Sequence, residues 1–235
     1  MSTNKKTKYR HVFIDLDRTL WDFPSNSFEV MQDLFAHFLS EQRFVNFTNF
    51  FDLYERNNER LWQRYRDKLI SKDKLWWYRF YSTLQQVGIE NEFLAKQMGD
   101  FYVERSKTKT HLYPYAHELL SYLKQKYRLY IITNGFEEVQ HAKIANCQLD
   151  SYFTHVFTSE KLGVQKPNPA IFNYALAHSG AQAEESIMIG DDIEADIRGA
   201  AEVGLDQIFL NHNGRKVHFK PSYEVSNLEA ITHIL

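Results

Sequence analysis

Three short apolar runs along the chain each stop on a polar residue. Arg10–Ile14 runs into Asp15, Arg128–Ile132 into Thr133, and Ser186–Ile189 into Gly190-Asp191-Asp192. Unbroken runs of Val, Ile, Phe, Tyr and Leu, without polar alternation, are the pattern of strands buried on both faces of a parallel sheet. Gln207–Leu210 predicts a further strand, and a short one near Tyr223–Val225 precedes a helix from Leu228. Helical spacing fills the intervals. Glu137–Asn146 follows Thr133, and Asn168-Pro169 supplies an N-cap and a first-turn proline for a helix towards His178. Ile193–Val203 reads as a helix that Gly204 ends. Strands alternating with helices in this way predict a doubly wound α/β fold, a Rossmann-like parallel sheet core.

The stretch from Phe23 to Lys109 has a different texture, with few turn signals and no strand pattern. Phe28, Met31, Leu34, Phe35 and Phe38 form one apolar stripe, and Leu75, Tyr78, Phe80, Tyr81 and Leu84 another. Four helices are predicted near 25–41, 47–67, 71–87 and 91–107. An all-helical block between the first and second strands of a sheet is an inserted domain. The organisation predicted is therefore a core of 1–22 with 110–235 and a helical insert over 23–109.

In an open parallel sheet the strand C-terminal ends converge on one crevice. That brings Asp15, Thr133 and Asp191 together, with Asp17 two residues beyond Asp15 and Asp192 and Asp196 nearby. Carboxylates crowded at one point repel unless a cation sits among them. An all-oxygen set suits Mg²⁺, which binds a few carboxylates and fills its shell with phosphate and water. Lys166, in Gln165-Lys166-Pro167-Asn168-Pro169, is placed to add positive charge. The guest such a site predicts is a phosphoryl group. Taken singly, each residue has a plainer reading: Asp as a turn or cap residue, Thr133-Asn134-Gly135 as a turn, Lys166 and Asp196 as surface charges.

Bulk properties narrow the field. A formal charge of −2 over 235 residues gives no electrostatic reason to expect nucleic acid or a membrane surface as partner. The single cysteine, Cys147, excludes an internal disulfide framework, and no apolar run is long enough to span a bilayer, so a cytoplasmic protein is expected. The ten histidines show no paired zinc spacing. The aromatic residues Trp62, Trp76, Trp77 and Tyr78 of the insert are expected mainly as helix-packing core, with stacking on a base as the alternative.

Asp15-Leu16-Asp17-Arg18-Thr19-Leu20 resembles the first motif of the haloacid dehalogenase-like (HAD) superfamily, Asp-x-Asp-x-Thr. Thr133-Asn134-Gly135 is similar to the second motif, Lys166 in Lys-Pro-Asn-Pro to the third, and Gly190-Asp191-Asp192 with Asp196 to the fourth. The four stand in family order and span nearly the whole chain. The resemblance implies a phosphohydrolase with a helical C1-type cap hinged near Trp21–Pro24 and Lys107–Pro114. It implies Asp15 as nucleophile, Asp17 as acid and base, and Mg²⁺ held by Asp15, the Asp17 carbonyl and Asp191. Thr133, Asn134 and Lys166 would bind the phosphoryl group, and Asp192 and Asp196 would steady Lys166 or metal-bound water. Ile-Thr-Asn-Gly-Phe at 132–136 with Lys-Pro-Asn-Pro-Ala-Ile-Phe at 166–172 is similar to 5′-nucleotidases acting on pyrimidine and noncanonical nucleoside monophosphates. Arg18 departs from the small residue, often glycine, that many members carry there.

The expected partner is accordingly a small phosphorylated metabolite, a nucleoside monophosphate above others, bound by a monomer or small homo-oligomer. A sugar-phosphate phosphatase or phosphosugar mutase would share these residues. A dehalogenase would not need Asp17, and a phosphonate hydrolase would need a cap lysine in a recognisable setting. A binding protein without turnover would not need to keep both Asp15 and Asp17.

Overall fold

The computed structural model describes residues 8–42 and 44–235. Six parallel strands form one sheet in the order β3-β2-β1-β4-β5-β6. They are β1 (His11–Ile14), β2 (Arg128–Thr133), β3 (His155–Thr158), β4 (Ser186–Gly190), β5 (Asp206–Leu210) and β6 (Tyr223–Val225). Successive side chains of a strand point to opposite faces, and here both faces are covered. Val12, Ile14, Leu129, Ile131, Ile187 and Ile189 pack on one side with Leu119, Leu120 and Leu123 of α5 (Ala116–Lys124). Phe13, Tyr130, Ile132 and Met188 pack on the other with Ile171, Phe172 and Ala175 of α8 (Pro169–Ser179). This is the doubly wound, Rossmann-like arrangement that the unbroken apolar strands predict.

Two compact units divide the chain, one running to Phe23 and resuming at Thr110, the other Pro24–Lys109. The second unit consists of α1 (Phe23–Phe38), which starts at the boundary, α2 (Phe47–Arg66), α3 (Lys72–Gln86) and α4 (Glu92–Lys107). Side chains fix the starts of α2, α3 and α4: Asn46, Ser71 and Asn91 accept from the backbone N–H groups of Asn49, Lys74 and Leu94. The interior holds Met31, Leu34, Phe50, Tyr54, Phe80 and Met98. Arg79 is buried there too, its guanidinium 4.7 Å from the Tyr102 ring and bonded to Asn58 at 3.1 Å. A Cβ on Gly99 would lie 2.9 Å from the Trp76 carbonyl, so only glycine lets α3 and α4 approach this closely. Trp76 and Trp77 are half-buried, Trp76 Nε1 donating to Asp100 and Trp77 lying under the Lys74 ammonium.

In the first unit, α6 (Glu137–Asn146) follows β2, and a single turn α7 (Ser159–Leu162) follows β3. The helix expected over Ile193–Val203 is instead a wide π turn, Ile193–Arg198, running into α9 (Gly199–Glu202). Ile197 N–H donates to the Asp192 carbonyl five residues back, at 3.2 Å, which sets the wider pitch. The segment from Leu228 closes as a short 3₁₀ helix, Glu229–His233. β3 and α5 had no counterpart among the predicted elements. No helix among the described residues is long and apolar enough to cross a membrane.

Candidate active site

β1 lies between β2 and β4, with Ile14 in register with Ile131 and Ile189. Asp15 is the residue after β1, Thr133 the last of β2, and Asp191 the residue after β4. Three neighbouring strand ends therefore deliver the three groups to one point. Carboxylate oxygens of Asp15, Asp191 and Asp196 lie within 4.8 Å of one another.

Lys166 sits among them and is buried. Its Nζ donates to Asp15 Oδ1 at 2.6 Å, Asp196 Oδ1 at 2.6 Å and the Ile132 carbonyl at 2.7 Å. Asn134 fixes the loop that carries this lysine, since its Nδ2 donates to the Lys166 carbonyl and its Oδ1 accepts from the Lys166 N–H. The expected partners of the lysine divide their work. Asp196 holds Lys166 and also accepts the Asp192 N–H at 3.1 Å, whereas Asp192 Oδ1 caps the π turn through Glu194 and Ala195. The glycine before Asp191 follows from this packing: a Cβ on Gly190 would stand 2.3 Å from Asp196 Oδ2. Gly190→Ala is expected to lower stability by about 1–3 kcal/mol, as overpacking does in a filled site, and to lower turnover with it. Denaturant unfolding and initial rates on one preparation check this; an unchanged midpoint would contradict the packing argument.

One ammonium cannot neutralise three acids. Burial raises the Asp15 carboxyl to about 7, with Lys166 pulling it down and Asp196 pushing it up. Asp191 is raised well above its ordinary range by burial, then by Asp196, Asp15 and Asp192. Burial opposes the charge on Lys166, but Asp15 and Asp196 outweigh it and hold its pKa above that of a free lysine. Acids and base are thus raised together, as expected where negative charge is in excess. The donors are all oxygen, Lys166 and Arg18 offset the charge only in part, and the carboxylates already converge; this set fits a divalent cation of the Mg²⁺ type.

Asp17, by contrast, is held from α6. Lys143 Nζ is 2.5 Å from its Oδ1, and Gln140 Nε2 donates to its Oδ2 at 2.8 Å. Gln140 also donates to Thr133 Oγ1 at 2.6 Å. Sequence reasoning placed both residues in a helix and assigned them nothing; the available signal was their three-residue spacing on one face of the helix after Thr133. The loop after β5 was missed as well: Arg215 donates to the Asp191 carbonyl at 3.1 Å, and His212 Nε2 lies 3.1 Å from the Arg18 carbonyl. Arg18 itself has φ 67, in the left-handed region that favours glycine, and its guanidinium lies 4.7 Å from the Phe23 ring. Cys147, at the end of α6, is buried, which pushes its thiol up to about 11, so it is inert at neutral pH.

Within the helical unit, an open cavity of about 600 Å³ is lined by Phe28, Phe51, Glu29, Gln32 and Glu55. Phe28 meets Phe47 and Phe51 edge-on, with ring centroids 5.4 and 5.1 Å away. Its ring is partly exposed, so the first apolar stripe is core at Met31 and Leu34 but cavity wall at Phe28.

A hydrolase built on a strand-end aspartate with a clamped lysine is the class that this fold and site define. Residues 9–204 match the model of the haloacid dehalogenase-like hydrolase family, and the chain belongs to that family. It is 32% identical over 234 residues to the pyrimidine 5′-nucleotidase PynA of Streptococcus pneumoniae, covering 97% of this chain and 95% of that one. It is 31% identical over 236 residues to the pyrimidine 5′-nucleotidase YjjG of Escherichia coli, covering 97% and 98%. The solved structure of the HAD-hydrolase YfnB from Bacillus subtilis, bound to magnesium, superimposes with a TM-score of 0.87 at 29% identity, covering 97% of this chain and 98% of that one.

Proposed function

We propose that the chain hydrolyses phosphomonoesters through an aspartyl-phosphate on Asp15, and that its substrate is a nucleoside 5′-monophosphate. The observation that carries the chemistry is the Asp15–Lys166–Asp196 clamp beside Asp191. It fixes Asp15 Oδ1 and leaves Oδ2 as the attacking oxygen. Oδ2 forms a bond to phosphorus as the ester P–O bond breaks, and the leaving oxygen takes a proton from Asp17. Water then attacks the same phosphorus and gives a proton to Asp17, and the P–O bond to Asp15 breaks to restore the carboxylate. Thr133 and the Asn134 main chain donate to the phosphoryl oxygens, while Lys166, its three N–H bonds taken by Asp15, Asp196 and the Ile132 carbonyl, offsets their charge. Asp15, Asp191 and the Asp17 carbonyl would hold Mg²⁺, which offsets the charge of carboxylate and phosphate.

The nucleotide reading draws support from two full-length relatives named as pyrimidine 5′-nucleotidases. The helical unit acts in this reading as a cap. Phosphate release from nucleoside monophosphates and sugar phosphates, with Mg²⁺ and with chelator, tests it. Metal-dependent release from nucleotides, with pyrimidines preferred, is the expected result. Release from sugar phosphates alone would overturn the substrate, and release from neither would overturn the chemistry.

A further inference from the structure

We infer that Lys143 and Gln140 are positioning residues that hold the Asp17 carboxylate for proton transfer, an inference that rests on the acid–base role proposed for Asp17. Both carboxylate oxygens are taken from one helix face, Oδ1 by Lys143 and Oδ2 by Gln140. Proton delivery to a leaving oxygen needs its donor fixed within hydrogen-bond reach. A carboxylate gripped at both oxygens cannot rotate away.

The surroundings of the two residues argue for a purpose beyond packing. Lys143 is 4% exposed, and its ammonium lies 3.7 Å from the Trp21 ring centroid, between an aromatic face and Asp17. Burying an ammonium is costly, and an apolar residue of similar length would fill the same space without that cost. Gln140 is fully buried, and its Oε1 has no hydrogen-bond partner among the described residues. Its Nε2 donates to Asp17 and to Thr133. Its amide therefore joins the proton donor to the proposed phosphoryl cradle and leaves one of its own polar atoms unsatisfied to do so. The backbone makes room for the link: a Cβ on Gly135 would lie 2.4 Å from the Gln140 amide carbon. The glycine after Thr133-Asn134 thus has a definite task, to let Gln140 pass.

A structural role and a positioning role differ in their dependence on the leaving group. A nucleoside 5′-oxygen leaves poorly without a proton, whereas p-nitrophenolate leaves without one. The value of kcat/KM reports steps up to the first irreversible one, so it isolates ester cleavage from hydrolysis of the intermediate. For Lys143→Met we expect a loss of 10- to 100-fold in kcat/KM on uridine monophosphate, and a loss at least tenfold smaller on p-nitrophenyl phosphate. The Tm should stay close to that of the parent, because Asp17 remains partly solvated when its partner goes. Lys143→Arg should recover part of the loss, and Gln140→Leu should show the same substrate pattern. Asp17→Asn with Lys143→Met should be no worse than Asp17→Asn alone, since the lysine acts through the acid. Equal losses on both substrates, additive losses in the double variant, or a gain in rate from Lys143→Met would each overturn the positioning role. If Asp17→Asn itself shows no leaving-group discrimination, or the parent enzyme hydrolyses neither ester, the reading of Asp17 fails, and the inference with it. That result is distinguishable from failure at Lys143 alone.

Discussion

Asp15→Asn is expected to lower phosphate release by a factor on the order of 10⁴–10⁶, the scale on which loss of a covalent nucleophile is felt, while the metal-free fold becomes more stable. The two effects have one cause. Asp15 is a buried carboxyl beside Asp191 and Asp196, raised to about 7 by that burial, so above neutral pH and in chelator the cluster carries more negative charge than Lys166 offsets. Asparagine has the same shape and no charge. Lys166 keeps Asp196 and the Ile132 carbonyl, so the clamp is not left with a bare ammonium. Phosphate release and thermal unfolding in chelator, on the same preparation, read both. Residual turnover above about one part in a hundred would remove Asp15 as nucleophile. A lower Tm in chelator would show that Asp15 stabilises the fold, contrary to the charge argument.

The core of this site was legible in the sequence because parallel sheets impose the geometry. Once Arg10–Ile14, Arg128–Ile132 and Ser186–Ile189 are read as strands, their ends must meet, and Asp15, Thr133 and Asp191 come with them. The helical insert was legible for a local reason: apolar residues recur at helical spacing, as in Phe28, Met31, Leu34, Phe35 and Phe38, with few turn signals between. What escaped depends on distant partners or on strained geometry. Lys143 and Gln140 look like ordinary helix residues until Asp17, 126 and 123 positions away, is brought against them. The π turn at Ile193–Arg198 carries helical spacing in sequence, and its wider pitch lies in the bond from the Ile197 N–H to the Asp192 carbonyl, which no residue spacing announces. β3 is four residues at the sheet edge, with His155 exposed and Val156 half-buried, and so lacks the unbroken apolar signature of the central strands. Arg18 shows a different limit: its left-handed backbone explains why glycine suits the position, but nothing in the side chain announces it.

Mg²⁺ is expected to raise the Tm, and to raise it more at pH 8 than at pH 5.5. In the folded, metal-free protein Asp15 titrates near 7, against an ordinary value of 3.8. Between those limits the folded state holds a proton that the unfolded chain has released. Stability contributed by this group is therefore complete below about pH 4 and is lost as pH rises through 7. Asp191 and Asp196 are raised as well and act in the same direction. A divalent cation reverses the balance, because it takes the ionised carboxylates and must displace protons from them at low pH. The apparent affinity should fall by about tenfold per pH unit below 7 for each proton displaced. A metal at one hundred times its Kd adds about 2.7 kcal/mol, so the gain at pH 8 is measurable. His11, His155 and His212 are held below their ordinary value, by burial first, and pull stability the other way, rising with pH. The quantity to compare is thus the Mg²⁺-induced increment at each pH, in the parent and in Asp15→Asn. A pH-dependent increment in the parent that shrinks in the variant places the cation at Asp15. Equal increments at both pH values, or a variant that responds as the parent does, would mean that the cation binds elsewhere.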